Sequence, residues 1–401
     1  MIPFEEALRL ISKNTHVLAA TERDISDLNF EVLAEDVQAQ KDIPFFSNSA
    51  MDGYALRSED TLMAPVVLKV KGFIRAGDSS NMEVGKGEAA KIMTGAPLVN
   101  GADAVVMVEE TEEQGQKVLV KKVVKKGEHV RLQGEEIKKD QVGLKKGTPL
   151  NPASVGFLAS MGRQKALVYG KPRISILMTG NELIFPGREL KNGQIWESNS
   201  FVLTAALREV GINPIVLENA RDDLQDTKER IQAGLDTSDV LLITGGISMG
   251  DYDFVQEAVL GLHVKKIFWR VAVKPGKPTF FGSKGKKLIF GLPGNPASVL
   301  VTYLEYVRPA VLKMMGHRHV YLKEVEAILE EELKKKPGRA NFLRGIYREH
   351  NGKIYVKTTG LQNSYMLESF AKANCLIILE KGRDVFCSGE KVQIQILPWE
   401  A

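Results

Sequence analysis

DVLLITGGISMGDYDFVQEAVLGL, residues 239–262, joins a short apolar run to a helical pattern through a glycine-rich loop. The run DVLLIT has the length and branched side chains of a buried strand, and DYDFVQEAVLGL has apolar residues at helical spacing. The same alternation flanks it in ISILMTG (174–180), SNSFVLTAALREVG (198–211), INPIVLE (212–218), DDLQDTKERIQAGL (222–235) and KLIFGLPGNPASVLVTYLEYVRPAVLKMMG (287–316). Residues 172–316 are therefore predicted to form an open, mainly parallel α/β sheet covered on both faces.

The regions on either side of this domain have a different pattern of apolar residues. PFEEALRLISKN (3–14) predicts an opening helix, because its apolar residues recur at helical spacing. From about residue 30 to 150, short apolar runs broken by Gly and Asn clusters predict β-rich subdomains, and 317–401 predicts a separate small β domain. The predicted divisions are 1–171, 172–316 and 317–401, which gives a multidomain protein of α/β plus β class.

Composition excludes several classes of protein. The 401 residues are 44% hydrophobic and 26% charged, as in a soluble globular protein. No apolar run approaches the roughly 18 residues of a membrane span, and Glu5 and Glu6 stand where a secretory signal needs bases. We therefore expect a cytoplasmic protein with no membrane association. The two cysteines and six histidines show no metal-ligand spacing, which disfavours disulfides and transition-metal chemistry.

The basic residues do not predict nucleic-acid binding. The net charge is +4, and residues 117–147 alone carry ten Lys and Arg against four acids, a local excess of +6. A nucleic-acid surface would place aromatic side chains among these bases, and this segment has none. We expect a solvated, lysine-bearing β surface instead.

Three strand-to-helix loops of the sheet domain have unusual sequences. They are TGNEL (179–183), TGGISMGDYD (244–253) and GLPGNPAS (291–298). Ligands of open parallel sheets bind where such loops gather, glycine lets the backbone approach them, and the free N–H groups of a following helix favour anions. An anionic, phosphate-bearing ligand is predicted.

Acidic residues stand at the same rim, where they would repel such a ligand unless a cation lay between. They are Glu182, Asp222, Asp223, Asp251 and Asp253. Oxygen ligands of this kind suit Mg²⁺, which bridges carboxylates to phosphate oxygens. Each acid also has a structural alternative: Asp251 could be a helix N-cap, and Asp222 and Asp223 could form a capped helix start.

Two lysines are held by a stiff backbone in VAVKPGKPTFFG (271–282), at the end of a strand-like run. Pro275, Gly276 and Pro278 surround Lys274 and Lys277, and proline restricts φ. Rigid cations predict a preorganised anion site. Outside the domain, two further segments contain turn residues, SNSAMDGYALR (47–57) and IMTGAPLVNGADAVVMVEE (92–110). Taken alone, such residues are common in ordinary hairpin turns.

Several of these motifs together resemble one family. They are MDGYA (51–55), MTGAPLVNGADAVVMVEE (93–110), GEEI (134–137), TGNEL, GQIWESNS (193–200), TGGISMGDYDF (244–254), VAVKPGKP (271–278) and GLPGNPAS. In this order they resemble the molybdopterin molybdenumtransferases, the family that includes the gephyrin E domain, from about residue 4 to 398. The resemblance implies four subdomains, among them a molybdopterin-binding α/β domain and a C-terminal barrel-like β domain, in an elongated homodimer. It implies that molybdate reacts with adenylated molybdopterin and Mg²⁺ to give molybdenum cofactor and AMP.

The resemblance also assigns roles to residues. It implies catalytic roles for Asp52, Thr94, Glu182, Asp222 and Asp253, with Asp52 and Thr94 reaching the cleft from the partner subunit. It implies that molybdate or phosphate is bound by Arg270, Lys274, Lys277, Pro293, Pro296, Arg344 and Ser364. The implied pterin-binding loops contain Gly180, Ser198, Asn199, Gly245, Gly246, Ser248 and Gly250, and the implied metal ligands are Glu182, Asp251 and Asp253.

Two departures and two alternatives accompany the resemblance. Glu136 replaces the usual Asp of a GED motif, and Asn181 replaces the common Asp of TGDEL, which removes one carboxylate beside Glu182. The alternatives are a molybdopterin adenylyltransferase, whose fold resembles 172–316 alone, and a non-catalytic pterin-binding scaffold. Tungstate in place of molybdate stays open. Further implied partners are the adenylyltransferase and recipient molybdoenzymes.

Overall fold

Packing divides the chain into two compact units. A computed structural model describes residues 1–28, 30–78, 81–247 and 254–400. The larger unit comprises Met1–Glu22, Leu28–Ala34 and Leu167–Ala401, and the smaller comprises Arg23–Asp27 and Glu35–Ala166. The predicted boundaries at 171/172 and 316/317 stay predictions.

The smaller unit is built on a six-stranded sheet. Its strands, in spatial order, are Ala104–Met107, Gly53–Leu56, Glu88–Ile92, Val66–Ile74, Lys117–Val120 and Thr111–Gln114. Two short pairs complete it: Val130–Arg131 with Asn48–Ser49, and Val142–Leu144 with Val37–Gln38. Alternating side chains bury apolar clusters on both faces of the sheet, around Leu56 and Val106 and around Ile74 and Val105. The predicted β-rich character of this region is confirmed.

The larger unit contains the predicted α/β sheet. Its spatial order is Ile215–Val216, Ile174–Met178, Val240–Thr244, Lys287–Leu292, Phe280–Lys284 and Lys265–Trp269. The first four strands are mutually parallel, and Phe280–Lys284 is antiparallel to both of its neighbours. The strands Ile174–Met178 and Val240–Thr244 are buried throughout, as expected for a sheet covered on both faces. The prediction of a mainly parallel sheet is confirmed.

The described helices and short helical turns complete these layers. The α-helices are Phe4–Asn14, Pro152–Ser160, Asn199–Glu209, Leu224–Thr237, Val255–Gly261, Pro296–Thr302, Arg308–Met314 and Glu368–Ala371. A π-helical turn, Tyr303–Val307, joins Pro296–Thr302 to Arg308–Met314. The 3₁₀ turns are Ile25–Asp27, Ser58–Thr61, Val108–Glu110 and Pro398–Glu400. Phe4 of the predicted opening helix packs on Tyr306 and Phe342, with ring centroids 5.9 and 5.1 Å away.

The C-terminal part of the larger unit is a closed five-stranded barrel. Neighbouring strands around it are Ala340–His350, Lys353–Thr358, Glu324–Leu329, Lys391–Ile396 and Cys375–Leu379, and the last pairs with the first. Its interior contains Leu329, Val356 and Ile377. The remaining strands are Leu183–Ile184 with Ile195–Trp196, Leu333–Lys334 with Val385–Phe386, Val273–Lys274, and the strands Ala20–Asp24 and Lys165–Tyr169, in which the chain passes between units. The predicted class, α/β plus β with a C-terminal barrel, is confirmed.

Local details differ from the sequence pattern in three places. The predicted strand INPIVLE is reduced to Ile215–Val216 at the sheet edge. Ser198 is the N-cap residue of its helix but makes no side-chain cap bond, because Glu197 accepts from the backbone N–H of Ser200 at 2.8 Å instead. The strand before KPGKP is Val273–Lys274, and it pairs in parallel with the barrel strand Ala340–His350 rather than with the α/β sheet.

Candidate active site

A cleft of about 780 Å³ lies where the rim of the α/β sheet meets the barrel. The strand that follows Ile174–Met178 in the parallel sheet, Ile215–Val216, lies on one side of it, and the next strand, Val240–Thr244, lies on the other side. The strand order therefore reverses between Ile174–Met178 and Val240–Thr244. Ligands of open α/β sheets bind in such a crevice. Residues at the end of both strands, Thr179, Gly180, Thr244 and Gly245, line the cleft.

Acidic and basic groups come from different ends of the rim. Glu182 follows Ile174–Met178, whereas Lys274 and Lys277 precede Phe280–Lys284, three strands away in the sheet. Three strand spacings correspond to about 14 Å. The glycine loop after Val240–Thr244 and the proline loop after Lys287–Leu292 lie between them. The cleft therefore has room for an elongated ligand that meets carboxylates at one end and cations at the other.

The lysine segment has the rigid backbone that its sequence predicts. Gly276 has φ +104°, and a Cβ there would lie 2.7 Å from Thr302 Cγ2. The hydroxyl of buried Thr279 donates to the carbonyl oxygen of Gly276 at 2.7 Å. Lys274 and Lys277 are exposed in the cleft, and neither forms an ion pair with a described residue. The two charges are thus open to a ligand.

A third cation in the cleft, Arg339, belongs to none of the sequence motifs. It immediately precedes the barrel strand Ala340–His350, and the pairing of Val273 with Ala340 brings this strand against the lysine segment. The backbone N–H of Ala340 donates to the carbonyl oxygen of Ala272 at 3.0 Å. The guanidinium of Arg339 makes no ion pair with a described residue. Only the long-range strand pairing identifies it.

The barrel loop Gln362–Ser364 forms another wall of the cleft. The hydroxyl of Ser364 accepts a hydrogen bond from Asn295 Nδ2 at 2.9 Å, which joins this wall to the proline loop. Arg344 lies beneath the loop with no exposed surface, and it is not among the described lining residues. Its Nε donates to Ser369 Oγ at 2.8 Å, and burial lowers the pKa of Arg344 to about 10. Its predicted anion contact stays a prediction.

The proline loop begins a helix whose N–H groups are already used. Pro296 has no N–H, Ala297 N donates to the carbonyl oxygen of Ser364 at 3.1 Å, and Ser298 N donates to that of Asn295 at 3.0 Å. The prediction of free helix N–H groups for an anion is therefore wrong at this loop. It is also wrong for TGNEL, which is followed by the short strand Leu183–Ile184. Pro293 lines the cleft and Pro296 is not among its described lining residues.

The glycine loop positions a tight turn and leaves polar atoms without partners. Gly245 has φ +84°, and a Cβ there would lie 2.8 Å from the carbonyl oxygen of Thr179, so only glycine fits. Thr244 Oγ1 and Asn199 Oδ1 are buried with no hydrogen-bond partner among the described residues, and both residues line the cleft. Buried polar atoms are normally paired, and the part of the chain that the structure describes supplies neither of these two atoms with a partner.

At the acidic end, Asp222 and Glu182 both line the cleft. Asp222 exchanges hydrogen bonds with Asn181, whereas Asp223 caps the helix Leu224–Thr237 by accepting from Asp226 N at 2.8 Å. The structural alternative is thus confirmed for Asp223, and Asp251 lies outside the described residues. Oxygen donors remain available at Glu182 and Asp222, and neither forms an ion pair with a described residue.

Several predicted residues lie elsewhere or are not described. Ser198 and Arg270 are not among the described lining residues of the cleft; Arg270 has φ +69° and donates from its N–H to Thr279 O at 2.9 Å. Ser248, Gly250, Asp251 and Asp253 lie outside the described residues. Within the described ranges no group of three or more His, Cys, Asp or Glu could hold a metal ion. No described helix is long and apolar enough to cross a membrane.

Asp52 and Thr94 are paired in the smaller unit. Asp52 Oδ1 accepts from the backbone N–H of Thr94 at 2.7 Å and from its hydroxyl at 2.9 Å. These bonds, the backbone one foremost, lower the pKa of Asp52. Glu136, in the same unit, is exposed, and its backbone N–H donates to Ile43 O at 3.0 Å. The predicted catalytic roles of Asp52 and Thr94 stay predictions.

Three family models match the chain in order. They are the MoeA N-terminal region (domain I and II) over residues 2–162, the probable molybdopterin binding domain over 175–313 and the MoeA C-terminal region (domain IV) over 326–397. The molybdopterin molybdenumtransferase of Haemophilus influenzae is 36% identical over 367 residues, or 91% of this chain and 90% of that protein. The protein of that name from Staphylococcus aureus strain Mu50 is 34% identical over 98% of this chain and 95% of its own. The solved MoeA protein of Pyrococcus horikoshii is 32% identical, with a TM-score of 0.82 and coverage of 99% of this chain and all (100%) of that one.

Proposed function

Because the chain belongs to the molybdopterin molybdenumtransferase family and is an enzyme of that transferase type, we propose that its cleft binds adenylated molybdopterin and molybdate together. Molybdenum would enter the dithiolene of the pterin while AMP is released. The observation that carries this proposal is the separation of carboxylates and unpaired cations within one cleft of about 780 Å³. Such a site suits a substrate pair with an oxyanion, a pyrophosphate and a flat polar ring system.

The cationic end would hold the oxyanions. Molybdate is a dianion, and placing it beside a pyrophosphate costs electrostatic energy unless fixed cations offset the repulsion. Lys274 and Lys277 supply two such charges on a stiff segment, and Arg339 supplies a planar guanidinium that can donate two parallel bonds to one anion. Ser364 adds a hydroxyl to the lining of the same cleft. These groups would orient the oxyanion for attack without acting as nucleophiles.

The middle of the cleft would bind the pterin. Asn199 Oδ1 is a buried acceptor without a described partner, and a pterin offers ring and amino N–H donors. Asn199 is itself oriented by the bond from its Nδ2 to the carbonyl oxygen of Gly294 at 2.8 Å. The hydroxyl of Thr244 adds a donor and acceptor on the floor between the glycine and acidic loops. A ligand that pairs both atoms would remove the cost of leaving them unsatisfied.

The acidic end fits Mg²⁺. Glu182 and Asp222 present carboxylate oxygens in the same cleft as the proposed phosphate site, and oxygen-only donors are those that Mg²⁺ prefers. When bound, the ion would polarise the pyrophosphate and stabilise charge on departing AMP. We propose Glu182 and Asp222 as its described ligands, with Asp251 and Asp253 as further candidates. A homodimer in which Asp52 and Thr94 come from the partner subunit completes the proposal.

The decisive experiment is a turnover assay with purified protein, adenylated molybdopterin and Mg²⁺, with and without molybdate. AMP release and reconstitution of an apo-molybdoenzyme are measured together. Molybdate-dependent AMP release with active cofactor supports the proposal. Tight pterin binding without turnover contradicts it and favours the scaffold alternative, and formation of adenylated pterin from ATP favours the adenylyltransferase.

A further inference from the structure

A second cavity of about 330 Å³ lies apart from the cleft in the larger unit. The α/β domain contributes Arg308, Glu209 and Leu312, the following segment His317 and His319, and the barrel Lys323 and Ile396. Its volume falls in the lower part of the range of small-molecule sites, and its walls mix apolar side chains with a few charges, as such sites do. None of the residues of the proposed active site lines it.

Arg308 is incompletely paired in this cavity. Its Nη1 donates to the carbonyl oxygen of Val320 at 3.3 Å, which fixes the side chain, whereas its Nε is buried with no partner among the described residues. It forms no ion pair with a described residue, although Glu209 lines the same cavity. No carboxylate of the described residues neutralises this guanidinium at ion-pair distance, which favours an anion beside it.

The cavity is separated from the cleft by the length of a helix. Helix Asn199–Glu209 begins with a residue of the cleft and ends with a residue of the cavity. Eleven residues at the α-helical rise span about 16 Å. The helical run from Pro296 likewise passes from Ser298 in the cleft to Arg308 in the cavity. A ligand small enough for one site cannot reach the other.

The charges of the cavity favour a singly charged anion. Arg308 and Lys323 are cations, Glu209 is the one carboxylate among the described lining, and burial lowers the pKa of His317, which keeps that ring neutral near pH 7. Burial also raises the pKa of Glu209, although the charge of Arg308 opposes this shift. A guanidinium matches the two oxygens of a carboxylate, and Leu312 and Ile396 offer contact to an apolar body.

We propose that this cavity binds a small organic carboxylate with an apolar body, its carboxylate on Arg308 and Lys323. The site goes beyond the proposed transfer reaction, because it uses neither the cleft nor its ligands. The carboxylate would accept hydrogen bonds from the guanidinium of Arg308, and the apolar body would pack on Leu312 and Ile396.

The test is ligand-observed ¹⁹F NMR on the full chain with 4-fluorobenzoate, and with 4-fluorobenzyl alcohol as a neutral probe of similar shape. We expect the carboxylate to bind at least tenfold more tightly than the alcohol. Arg308→Gln should weaken carboxylate binding at least tenfold and Lys323→Gln about threefold. Arg9→Gln, which changes a surface charge outside the cavity, is the matched control and should leave binding unchanged.

Lys277→Ala distinguishes the cavity from the cleft, because it removes a cation from the cleft alone. Carboxylate binding that survives Lys277→Ala and is weakened in both cavity variants supports the proposal. Binding that is lost in Lys277→Ala, that is equal for the two probes, or that is unchanged in both Arg308→Gln and Lys323→Gln overturns it. Since Lys323 is exposed, its replacement keeps the test decisive if the Arg308 variant does not fold.

Discussion

The guanidinium of Arg344 donates from Nη2 to the carbonyl oxygen of Asn363 at 3.0 Å, from the barrel strand Ala340–His350 to the loop that carries Ser364. The same residue contributes its backbone: Arg344 N donates to Gln362 Oε1 at 2.9 Å, and its carbonyl oxygen accepts from Gln362 Nε2 at 3.1 Å. A fully buried arginine thus fixes both the main chain and a side chain of one cleft wall. We infer that Arg344 is a positioning residue for Ser364.

Replacing Arg344 with Lys should therefore disorganise the loop while keeping a positive charge. A lysine has one nitrogen and cannot bond Ser369 and Asn363 in the geometry of the guanidinium fork. We expect the KM for molybdate to rise about tenfold, with a smaller change in kcat and a stability loss of about 1–3 kcal/mol. Steady-state kinetics and chemical denaturation measure these effects. A loss of kcat at unchanged KM would contradict a positioning role.

Arg339 gives the sharpest test of the cationic end, because no motif pointed to it. Arg339→Ala should raise the KM for molybdate or weaken the anion-dependent binding of adenylated molybdopterin about ten- to hundredfold, since a charge-assisted bidentate contact contributes about 1.5–3 kcal/mol. Lys274→Ala should reduce molybdate-dependent turnover more than pterin binding. Calorimetry and turnover assays separate the two.

Arg348→Ala is the matched control for Arg339. Arg348 lies on the same barrel strand, is exposed and bonds Glu330. It should behave like the unsubstituted protein in both assays. If Arg339→Ala also behaves so, the guanidinium does not meet the substrates.

Local sequence signals predicted part of the fold and of the candidate site, but they could not predict the contacts between distant segments. The alternation of strand and helix patterns over 172–316 predicted the sheet. The prolines and glycine of KPGKP predicted that Lys274 and Lys277 stand on a rigid backbone. Both predictions were possible because each signal lies within one segment of the sequence. The bond from Ala297 N to Ser364 O joins residues 67 positions apart, and the pairing of Val273 with Ala340 brings Arg339 to the cleft. Such contacts depend on how the barrel packs on the sheet domain, and no spacing rule within one segment contains them.

A substitution at Asn181 tests the acidic end of the cleft, because Asn181 is hydrogen-bonded to Asp222. Asn181 N donates to Asp222 Oδ2 at 3.2 Å, and Asp222 N donates to Asn181 Oδ1 at 3.3 Å. Asn181→Asp adds a carboxylate beside Asp222 and Glu182, so it should lower the free energy of unfolding without Mg²⁺ by about 0.2–0.5 kcal/mol and increase the stabilisation by Mg²⁺. Thermal unfolding across a Mg²⁺ titration measures both changes.

The control for Asn181 is Asn213→Asp, which adds the same charge at an exposed residue that is not among the described lining of the cleft. Its response to Mg²⁺ should match that of the unsubstituted protein. An equal Mg²⁺ response in Asn181→Asp would contradict a metal site at Glu182 and Asp222.

Thr94 controls the ionisation of Asp52 in the smaller unit. Its backbone N–H and hydroxyl both donate to Asp52 Oδ1, and these bonds lower the pKa of that carboxyl. Thr94→Val removes the hydroxyl donor and keeps the N–H, so the pKa of Asp52 should rise part of the way toward its ordinary value. NMR titration of the carboxyl carbon measures it, and the acid limb of the activity profile should move to higher pH.

Thr111→Val is the control for Thr94, because the hydroxyl of Thr111 donates to the carbonyl oxygen of Val108 instead of a carboxylate. The pKa of Asp52 and the activity profile should be unchanged in it. If the pKa of Asp52 shifts in Thr94→Val and the pH profile of activity does not, ionisation of Asp52 does not control the reaction.

Glu305 should make stability depend on pH. It lies in the π-helical turn Tyr303–Val307, fully enclosed at the barrel side of the α/β domain, and burial raises its pKa to about 8. Its Oε2 accepts from Gln395 Nε2 at 3.4 Å, and its Oε1 has no described partner. Gln395 Nε2 also donates to Glu324 Oε1 at 3.2 Å, and that second carboxylate opposes ionisation of Glu305.

The direction of this pH dependence follows from the difference in bound protons between the folded and unfolded protein. Between pH 4.5, the ordinary pKa of the unfolded group, and about 8, the folded protein keeps this proton and the unfolded chain loses it. Stability contributed by Glu305 therefore falls by about 1.4 kcal/mol for each pH unit through this window and levels off above it. Glu305→Gln should flatten the slope and raise the melting temperature more at pH 8 than at pH 5. Glu349→Gln, an exposed neutralisation on the barrel, should leave the slope intact; equal slopes in Glu305→Gln and the unsubstituted protein would show that Glu305 is ionised in the folded state.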